Sequence, residues 1–354
     1  MSPSARIYLD WNAGAPLRPE ARAAMLAAMD LVGNPSSVHG EGRAARGLVE
    51  RARLQVAEAF GADPAEVVFT SGATEAAALA LAGRDLAGSE VEHDCVAAWT
   101  RPSLPVDAAG RVTVTDPATS VLQAANSETG VVQELPPGLA LVDAAQVAGK
   151  APFAFRWSGA AAALLSAHKL GGPKGVGALL LRDGAACAAP LLRGGGQESG
   201  RRAGTENLIG IAGFGAAAAA AARDLADGAW DRVAELRDIL ESALELAAPA
   251  TILVGKGGAR LPNTICLATP GWKGETQVMQ LDLDGFAVSA GSACSSGKVR
   301  PSRVLRAMGL DEAAAASAIR VSIGPAATGA EVMAFAAAWE RQHRRFRARA
   351  AVAA

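Results

Sequence analysis

One lysine stands where an apolar segment runs into a turn rich in glycine. Lys169 follows Ser166-Ala-His168 and precedes Leu-Gly-Gly-Pro-Lys-Gly, which ends at residue 175. Burial at the end of a strand lowers the pKa of an amine, and the neutral amine is a nucleophile that forms a Schiff base with an aldehyde. These residues alone fit a surface lysine beside a turn equally well.

An aspartate ends a second apolar segment, Leu139-Ala-Leu-Val-Asp143, and Gln146 follows three residues later. The carboxyl ends of strands are where open α/β sheets bind ligands. A carboxylate there can hold a protonated pyridine nitrogen, which makes pyridoxal phosphate (PLP) an electron sink, and Gln146 can hydrogen-bond the ring oxygen. Asp143 also suits the N-cap of a helix, and one residue can have both roles.

A third pattern is typical of a phosphate site. Residues 67–75, Val-Val-Phe-Thr-Ser-Gly-Ala-Thr-Glu, predict a strand, a glycine turn and a helix start, which leaves backbone N–H groups near Ala73 and Thr74 open to an anion. No lysine follows the glycine, which disfavours a nucleotide-binding P-loop. An ordinary capped turn is the alternative. The phosphate turn, the acid and the lysine, in this order, are more specific together than any one of them.

With these patterns in place, the chain resembles the cysteine desulfurases, PLP enzymes of fold type I in the class V aminotransferase group. The resemblance runs almost from end to end. Its most specific parts are the glycine-rich stretch 194–207 and the loop Gly-Ser-Ala-Cys294-Ser-Ser, because other PLP aminotransferases lack them. Further matches are Tyr8-Leu-Asp10, residues 33–39 (Gly-Asn-Pro-Ser-Ser-Val-His), Glu92-His93 and Ile319-Arg320.

The resemblance implies a role for each candidate residue. Lys169 carries the cofactor as a Schiff base, His93 stacks on the ring and shuttles protons, and Arg320 takes the α-carboxylate of the substrate L-cysteine. The Cys294 thiolate attacks the sulfur of a cysteine joined to PLP, leaving alanine and a persulfide that passes to an acceptor such as an iron–sulfur scaffold. The implied cofactor-binding residues are Ala73, Thr74, His93, Asn126, Ser127, Asp143, Gln146, Ser166, His168, Lys169 and Thr205.

The resemblance also implies a homodimer with shared active sites, because Thr205 corresponds to the residue that reaches the phosphate from the neighbouring subunit. Without the resemblance, His93 fits a surface histidine and Arg320 fits a salt bridge at a strand edge. Free cysteines are usually small buried apolar residues. A buried packing role suits Cys294 poorly, because a loop of small residues packs loosely and leaves the thiol exposed. We interpret Cys95 as a packing residue.

One cofactor-facing position departs from the family pattern. The usual Asn-Asn-Glu-Thr-Gly reads Asn126-Ser-Glu-Thr-Gly here, with serine in place of the asparagine that faces the cofactor. Alignment favours Ser127 as the residue at the ring, while Asn126 stays a second candidate for cofactor and substrate. Other hypotheses are a selenocysteine lyase, another PLP lyase of this fold, or a non-catalytic homologue that binds a sulfur-transfer partner.

The elements that must position these residues alternate along the first two thirds of the chain. Strands are predicted at 66–70, 120–124, 139–143, 161–166 and 178–181, with helices at 19–29, 42–60 and 75–82. Strands separated by helices predict a mainly parallel mixed sheet between helices. Residues 12–229 then form a large PLP-binding domain. Residues 1–11 and 230–354 form a smaller α+β domain, with strands at 251–254, 263–267 and 287–289 and helices at 230–247, 301–308 and 330–349.

Composition narrows the class of protein. The 354 residues carry 34 Lys and Arg against 35 Asp and Glu, a net charge of -1, which argues against nucleic-acid and anionic-membrane partners. The longest apolar run, 210–222, is mostly alanine and too short for a membrane span, and the N-terminus lacks a signal-peptide core. The four cysteines, at 95, 187, 266 and 294, have no CxxC pair, which favours free thiols in the cytoplasm over a disulfide framework or a metal site.

Overall fold

The computed structural model describes residues 6–182, 190–291 and 301–353. The strands are β1 (Ile7–Tyr8), β2 (Val67–Thr70), β3 (Leu86–Gly88), β4 (Thr100–Pro102), β5 (Val121–Gln123), β6 (Leu141–Asp143), β7 (Ala162–Ser166), β8 (Gly177–Leu181), β9 (Ile252–Val254), β10 (Thr264–Ala268), β11 (Phe286–Ala287), β12 (Ser289–Ala290) and β13 (Ala318–Ser322). The helices are α1 (Pro19–Met29), α2 (Gly40–Phe60), α3 (Ala73–Leu81), α4 (Asp94–Ala97), α5 (Phe155–Ser158), α6 (Leu208–Ala226), α7 (Ala229–Ala247), α8 (Gly274–Leu283), α9 (Arg303–Ala307), α10 (Glu312–Ala316) and α11 (Gly329–Ala353).

A five-stranded sheet forms the centre of the first part of the chain, in the order β2-β8-β7-β6-β5. The pairs β5–β6 and β6–β7 are parallel, whereas β8 is antiparallel to both of its neighbours, so four of the five strands run in one direction. Every residue of these strands is buried. Burial on both faces explains why the segments read as continuous apolar runs rather than as an alternation.

Alternate residues of each strand enter two different cores. Phe69 and Leu165 pack on one face with Val56 of α2 and Phe214 of α6. Leu164, on the opposite face, belongs to a second core that includes Leu79 of α3. Successive side chains of a strand point to opposite faces, so the sheet separates the two layers of helices. The predicted layered α/β architecture with a mainly parallel mixed sheet is therefore observed.

Helix α6 lies close to α1 and α2 because its contact positions are glycine and alanine. A Cβ atom at Gly215 would stand 2.7 Å from Cα of Ala52 in α2, closer than side chains tolerate. Within the described ranges, α6 is the one helix long and apolar enough for a membrane span, and 56% of the tested stretch is buried inside the protein. The helix is longer than the apolar run 210–222, which we had judged too short to span a membrane.

A smaller antiparallel sheet, in the order β12-β13-β10-β9, organises the C-terminal part of the chain. Its core combines Val321 of β13 with Leu240 of α7 and with Phe335 and Trp339 of α11. Strand β1, from the start of the chain, pairs in parallel with β11, and Leu9 enters the same core. The N-terminal segment thus crosses from this core directly to the central sheet.

The predicted elements match the observed ones within a few residues, except at 287–289. Several observed elements were not predicted, among them β3, β4, β13, α4, α5, α8 and α10. The strand predicted at 287–289 is two strands, β11 and β12, which pair with different partners on either side of Val288. Helix α8 was not predicted, because its sequence lacks a clear apolar face. It begins at Gly274, where a Cβ atom would stand 2.4 Å from the Ala318 carbonyl oxygen.

Candidate active site

A cavity of about 500 Å³ opens where strands β5, β6 and β7 end, beside the start of helix α3. The strand ends contribute Gln123, Asp143 and Ser166, and α3 contributes its first residues. Nine of the predicted site residues line this one cavity: Ala73, Thr74, His93, Ser127, Asp143, Gln146, Ser166, His168 and Lys169. Parallel strands bring their carboxyl ends to one edge of the sheet, which is why residues distant in sequence meet here.

The α3 end of the cavity is built for an anion. Gly72 precedes α3 with φ +157°, in a conformation that residues with a side chain rarely adopt, and no side chain within the described ranges caps the helix. The first N–H groups of such a helix attract negative charge. His168 faces the same space, and its buried Nδ1 has no partner among the described residues. Burial, with Lys169 and Lys174 nearby, lowers the pKa of His168 to about 4, so the ring is neutral at pH 7.

Two buried carboxyl groups lie at the opposite end. Asp143 accepts the Ala145 backbone N–H at 2.9 Å through Oδ1, so it caps the following turn while it also lines the cavity. Its predicted role towards a pyridine nitrogen stays a prediction. Burial raises its pKa, and His93 and Lys169 counteract that rise. Behind it, burial and the Asp143 carboxyl raise the pKa of Glu92 to about 8. Glu92 is therefore mostly protonated at pH 7.

Lys169 ends the 3-10 turn Ala167–Lys169 that follows β7. Its Nζ donates to the backbone carbonyls of Asn12 at 2.7 Å and Ala13 at 3.2 Å, and the amine lines the cavity. The turn is tight, because a Cβ atom at Gly172 would stand 2.8 Å from that of Ala167. The side chain is thus held at the cavity by carbonyl oxygens rather than extended into solvent.

His93 is the N-cap of helix α4, where its Nδ1 accepts the Cys95 backbone N–H at 3.2 Å. Because Nδ1 is the acceptor, the neutral ring carries its proton on Nε2. The Cys95 Sγ lies 3.0 Å from the same Nδ1 and also lines the cavity. The interpretation of Cys95 as a packing residue is incomplete: it packs beneath the sheet and also contacts the catalytic candidate. In the sequence, the position of Cys95 two residues after His93 was the one feature that could have indicated this contact.

Asn126 is not among the residues that line the cavity, and its predicted contact with cofactor and substrate stays a prediction. Its Nδ2 donates to the Val91 carbonyl at 3.0 Å, and its Oδ1 accepts the backbone N–H groups of Glu128 and Thr129, both at 2.9 Å. These hydrogen bonds use the Asn126 amide to stabilise the loop. Ser127, the alternative, lines the cavity.

Arg320 lies on β13, outside the residues that line the cavity. Its guanidinium donates to Asp10 Oδ1 at 2.8 Å and to the Ser127 carbonyl oxygen at 2.9 Å, and the side chain is buried. Its Nε has no partner among the described residues. A substrate carboxylate at Arg320 would therefore replace or join Asp10 beside Ser127.

Thr205 lies in a neighbouring cleft of about 200 Å³ rather than in the main cavity. The two spaces share Ser71 and Gly175, next to the anion-binding end. Within one chain, Thr205 thus does not line the cavity; its predicted contact is with the phosphate of a neighbouring subunit, and that contact stays a prediction.

Cys294 and Cys187 lie outside the described residues. Two described residues that flank positions 292–300 in the sequence lie near one carboxyl group. Ser302 Oγ donates to Glu128 Oε2 at 2.5 Å, and a Cβ atom at Gly291 would stand 3.1 Å from the same oxygen. Glu128 directly follows Ser127, which lines the cavity.

This arrangement of sheet, helices and cavity is that of enzymes of fold type I, which confirms the predicted fold class. The profile of the family described as Aminotransferase class-V matches residues 7–101 and 105–335, and the chain belongs to that family.

Curated relatives and solved structures agree with this assignment. A "Cysteine desulfurase" of Cereibacter sphaeroides is 41% identical, with 92% of this chain and 93% of the relative covered. A "Cysteine desulfurase IscS" of Dictyoglomus turgidum is 36% identical, with 90% and 89% covered. The X-ray structure of a NifS-like protein from Rickettsia africae superimposes with a TM-score of 0.86 at 29% identity, covering 96% of this chain and 99% of that one. The resemblance seen in the sequence is confirmed.

Proposed function

We propose that this chain is a PLP-dependent cysteine desulfurase, which converts L-cysteine to L-alanine and passes the sulfur through Cys294 to an acceptor. The observation that carries the proposal is the single cavity that joins Lys169, Asp143 and His93 to the uncapped start of α3. The relatives named above are cysteine desulfurases, which disfavours the selenocysteine lyase and the non-catalytic homologue.

The residues present fit the cofactor at each of its ends. The α3 N-terminus with Thr74, Ser166 and the unpartnered His168 would hold the phosphate. The Asp143 carboxylate would hold the pyridine nitrogen, and Gln146 would meet the ring oxygen. When bound, PLP supplies an aldehyde for the substrate amine and an electron sink for bonds broken at the substrate.

The chain's own groups then divide the work between binding and proton transfer. Lys169 would hold the cofactor covalently, and its amine would also move the proton at the substrate Cα. His93, with its proton on Nε2, would exchange a proton at the substrate or cofactor ring. Arg320 would position the carboxylate through a fork of parallel hydrogen bonds.

The sulfur transfer is a substitution at sulfur. The Cys294 thiolate forms a bond to the substrate sulfur as the substrate C–S bond breaks, and the electron pair of that bond passes to carbon. Protonation of that carbon gives alanine, and the persulfide on Cys294 holds the sulfur for a thiol reductant or an acceptor protein. An iron–sulfur scaffold or a thiolation system is the class of acceptor that we propose.

A second copy of the chain would complete the site. Thr205 lies beside the anion-binding end but outside the cavity of its own chain. Val32 and Val38, at the end of α1 and before α2, are 92% and 87% exposed. We propose a homodimer in which Thr205 reaches the phosphate of the other subunit, and these two exposed valines are candidates for its interface. We further propose a cytoplasmic location and the division into domains at 12–229 and at 1–11 with 230–354.

The test of the proposed function is a balanced product assay. The purified protein with PLP, L-cysteine and a thiol reductant should release alanine and sulfide in equal amounts. Alanine without sulfide, or no alanine from a protein that has bound PLP, contradicts the proposal. Selenocysteine in place of cysteine measures whether the alternative substrate is preferred.

Asp143→Asn should lower kcat by about 10²-fold, because a neutral amide cannot stabilise the positive charge of a protonated pyridine nitrogen. Glu92→Gln is the matched control and should cost less than about tenfold, because Glu92 is already mostly protonated at pH 7. Alanine formation by both variants at saturating PLP is the measurement. A larger loss for Glu92→Gln than for Asp143→Asn would reverse the assignment of the charge.

The Glu92→Gln variant also gives a prediction for how the stability of the protein depends on pH. Folding raises the pKa of Glu92 from 4.5 to about 8, so the folded state takes up a proton and loses stability as the pH rises between these values. Glu92→Gln removes that dependence. Its thermal midpoint should therefore exceed that of the parent protein increasingly as the pH rises through this window, which a series of melts in buffers of different pH would check.

Ser127→Asn should tighten PLP binding about fivefold, because the longer amide restores one hydrogen bond, worth about 1 kcal/mol, that the hydroxyl is too short to make. Ser127→Ala is the control and should change the dissociation constant little. Titration of the apoprotein with PLP measures both. Weaker binding by Ser127→Ala and no gain from Ser127→Asn would mean that the serine itself contacts the cofactor.

A further inference from the structure

A fully buried lysine lies directly behind the cavity, and neither the fold nor the proposed mechanism accounts for it. Lys150 is 1% exposed, and its Nζ donates to Gln146 Oε1 at 2.6 Å and to Asn12 Oδ1 at 2.9 Å. Within the described part of the chain, no carboxylate forms an ion pair with it. A buried amine is costly without an anionic partner, so a chain that keeps one uses it for more than packing.

Lys150 determines which end of the Gln146 amide faces it. An amine held this way donates, so the amide oxygen of Gln146 must point towards Nζ. The other end of the amide donates from Nε2 to the Asn12 backbone carbonyl at 3.1 Å, an oxygen that can only accept. With both contacts made, the second N–H of Nε2 is the polar group that Gln146 offers to the cavity it lines.

Asn12 links this pair to Lys169 and to the smaller sheet. Its backbone carbonyl accepts from Lys169 Nζ at 2.7 Å as well as from Gln146. Its Nδ2 donates to Thr264 Oγ1 on β10 at 2.8 Å, and its backbone N–H donates to Ser322 Oγ on β13 at 3.0 Å. The network therefore holds the cavity-facing amide and the cavity-facing amine in one frame.

We propose that Lys150 is a positioning residue: it locks the Gln146 amide with its N–H towards the ring oxygen of the cofactor. This inference rests on the proposed function, because it assumes that PLP occupies the cavity. The flipped amide is unfavourable, because it would lose the hydrogen bond from Lys150 Nζ to Oε1 and would set Oε1 against the Asn12 carbonyl oxygen, which can only accept. Burial, with the positive charges of Lys169 and Arg320, holds the pKa of Lys150 well below its ordinary value.

The first test is a double-mutant cycle on PLP affinity of the apoprotein. Lys150→Met keeps the length of the side chain and removes the donor, and Gln146→Met removes the amide. Each variant should raise the PLP dissociation constant about tenfold, and the double variant should bind no more weakly than the weaker single variant. Additive losses, or an unchanged constant for Lys150→Met, overturn the proposal.

A spectroscopic measurement separates positioning from a general structural role. A hydrogen bond to the ring oxygen stabilises its negative charge and so weakens its hold on the proton shared with the neighbouring nitrogen. Lys150→Met and Gln146→Met should therefore shift the pH midpoint of the visible cofactor band upward by a similar amount, about half a unit or more. A midpoint that moves in Gln146→Met and stays in place in Lys150→Met contradicts the proposal.

A further variant keeps the proposal testable if Lys150→Met does not fold. Gln146→Glu places a carboxylate against the Lys150 amine but offers no N–H to the ring oxygen. The apoprotein should then melt about 2–4 °C above Gln146→Met, for about 1 kcal/mol of pairing, while PLP binding stays weak. A melting temperature below that of Gln146→Met would show that no amine faces residue 146. If the parent protein fails to bind PLP, the proposed function falls; if it binds and Lys150→Met binds equally well, only this inference falls.

Discussion

Lys169→Ala is expected to lower alanine formation from L-cysteine by at least about 10³-fold, because one substitution removes both the covalent attachment of PLP and the base at the substrate Cα. The carbonyl oxygens of Asn12 and Ala13 would each lose the hydrogen bond from Lys169, but the cavity would keep its phosphate end and Asp143. The variant should therefore still bind PLP, more weakly and without a covalent bond. Reduction with borohydride followed by peptide mass analysis should place the cofactor on residue 169 in the parent protein and on no residue in the variant.

The matched control is Lys256→Ala, which removes a lysine paired with Glu245 at the surface. Its turnover and its reduced-peptide pattern should equal those of the parent protein. Cofactor trapped on Lys150 or Lys174, or parental turnover by Lys169→Ala, would reject Lys169 as the attachment site. Lys150 is the informative alternative, because its amine shares Asn12 with Lys169.

Cys294→Ala is expected to abolish sulfide release, with a loss of about 10³-fold or more, since covalent transfer needs a nucleophilic thiolate. The cofactor contacts proposed above do not include Cys294, so the variant should keep the visible PLP band and the PLP affinity of the parent protein. Sulfide assayed with excess reductant, together with mass analysis for a persulfide on residue 294, measures the effect.

Cys95→Ala is the matched comparison, because Cys95 is a thiol that lines the cavity and contacts His93. The Cys95→Ala variant should still release sulfide, and Cys95 of the parent protein should carry no persulfide. If Cys294→Ala released sulfide at the parental rate while Cys95→Ala did not, the nucleophile would be Cys95. Turnover of selenocysteine by Cys294→Ala would instead indicate a lyase that needs no sulfur-accepting thiol.

The sequence was sufficient for features that depend on neighbours along the chain. The strands that carry Thr70, Asp143 and Ser166 are short apolar runs that end at a polar residue, and each was predicted within a few residues. The glycine turn before Ala73 and the lysine after His168 were likewise visible as local patterns. Lys150 stands four residues after Gln146 in an apolar stretch, and the sequence analysis did not single it out, because local patterns do not show whether such an amine is buried.

Only the tertiary structure decided contacts between residues far apart in the chain. It placed Ser127 in the cavity and turned Asn126 into the loop, although the two are adjacent in sequence. It also joined Asn12 to Lys150, Lys169 and β13, and paired Arg320 with Asp10 across 310 residues. Propensity and periodicity act over one or two turns of chain. Hydrogen-bond partners far apart in sequence depend instead on the whole fold, because buried donors and acceptors must be paired when the chain packs. For this reason the sequence alone could name the lysine, the acid and the thiol, but not the network that orients them.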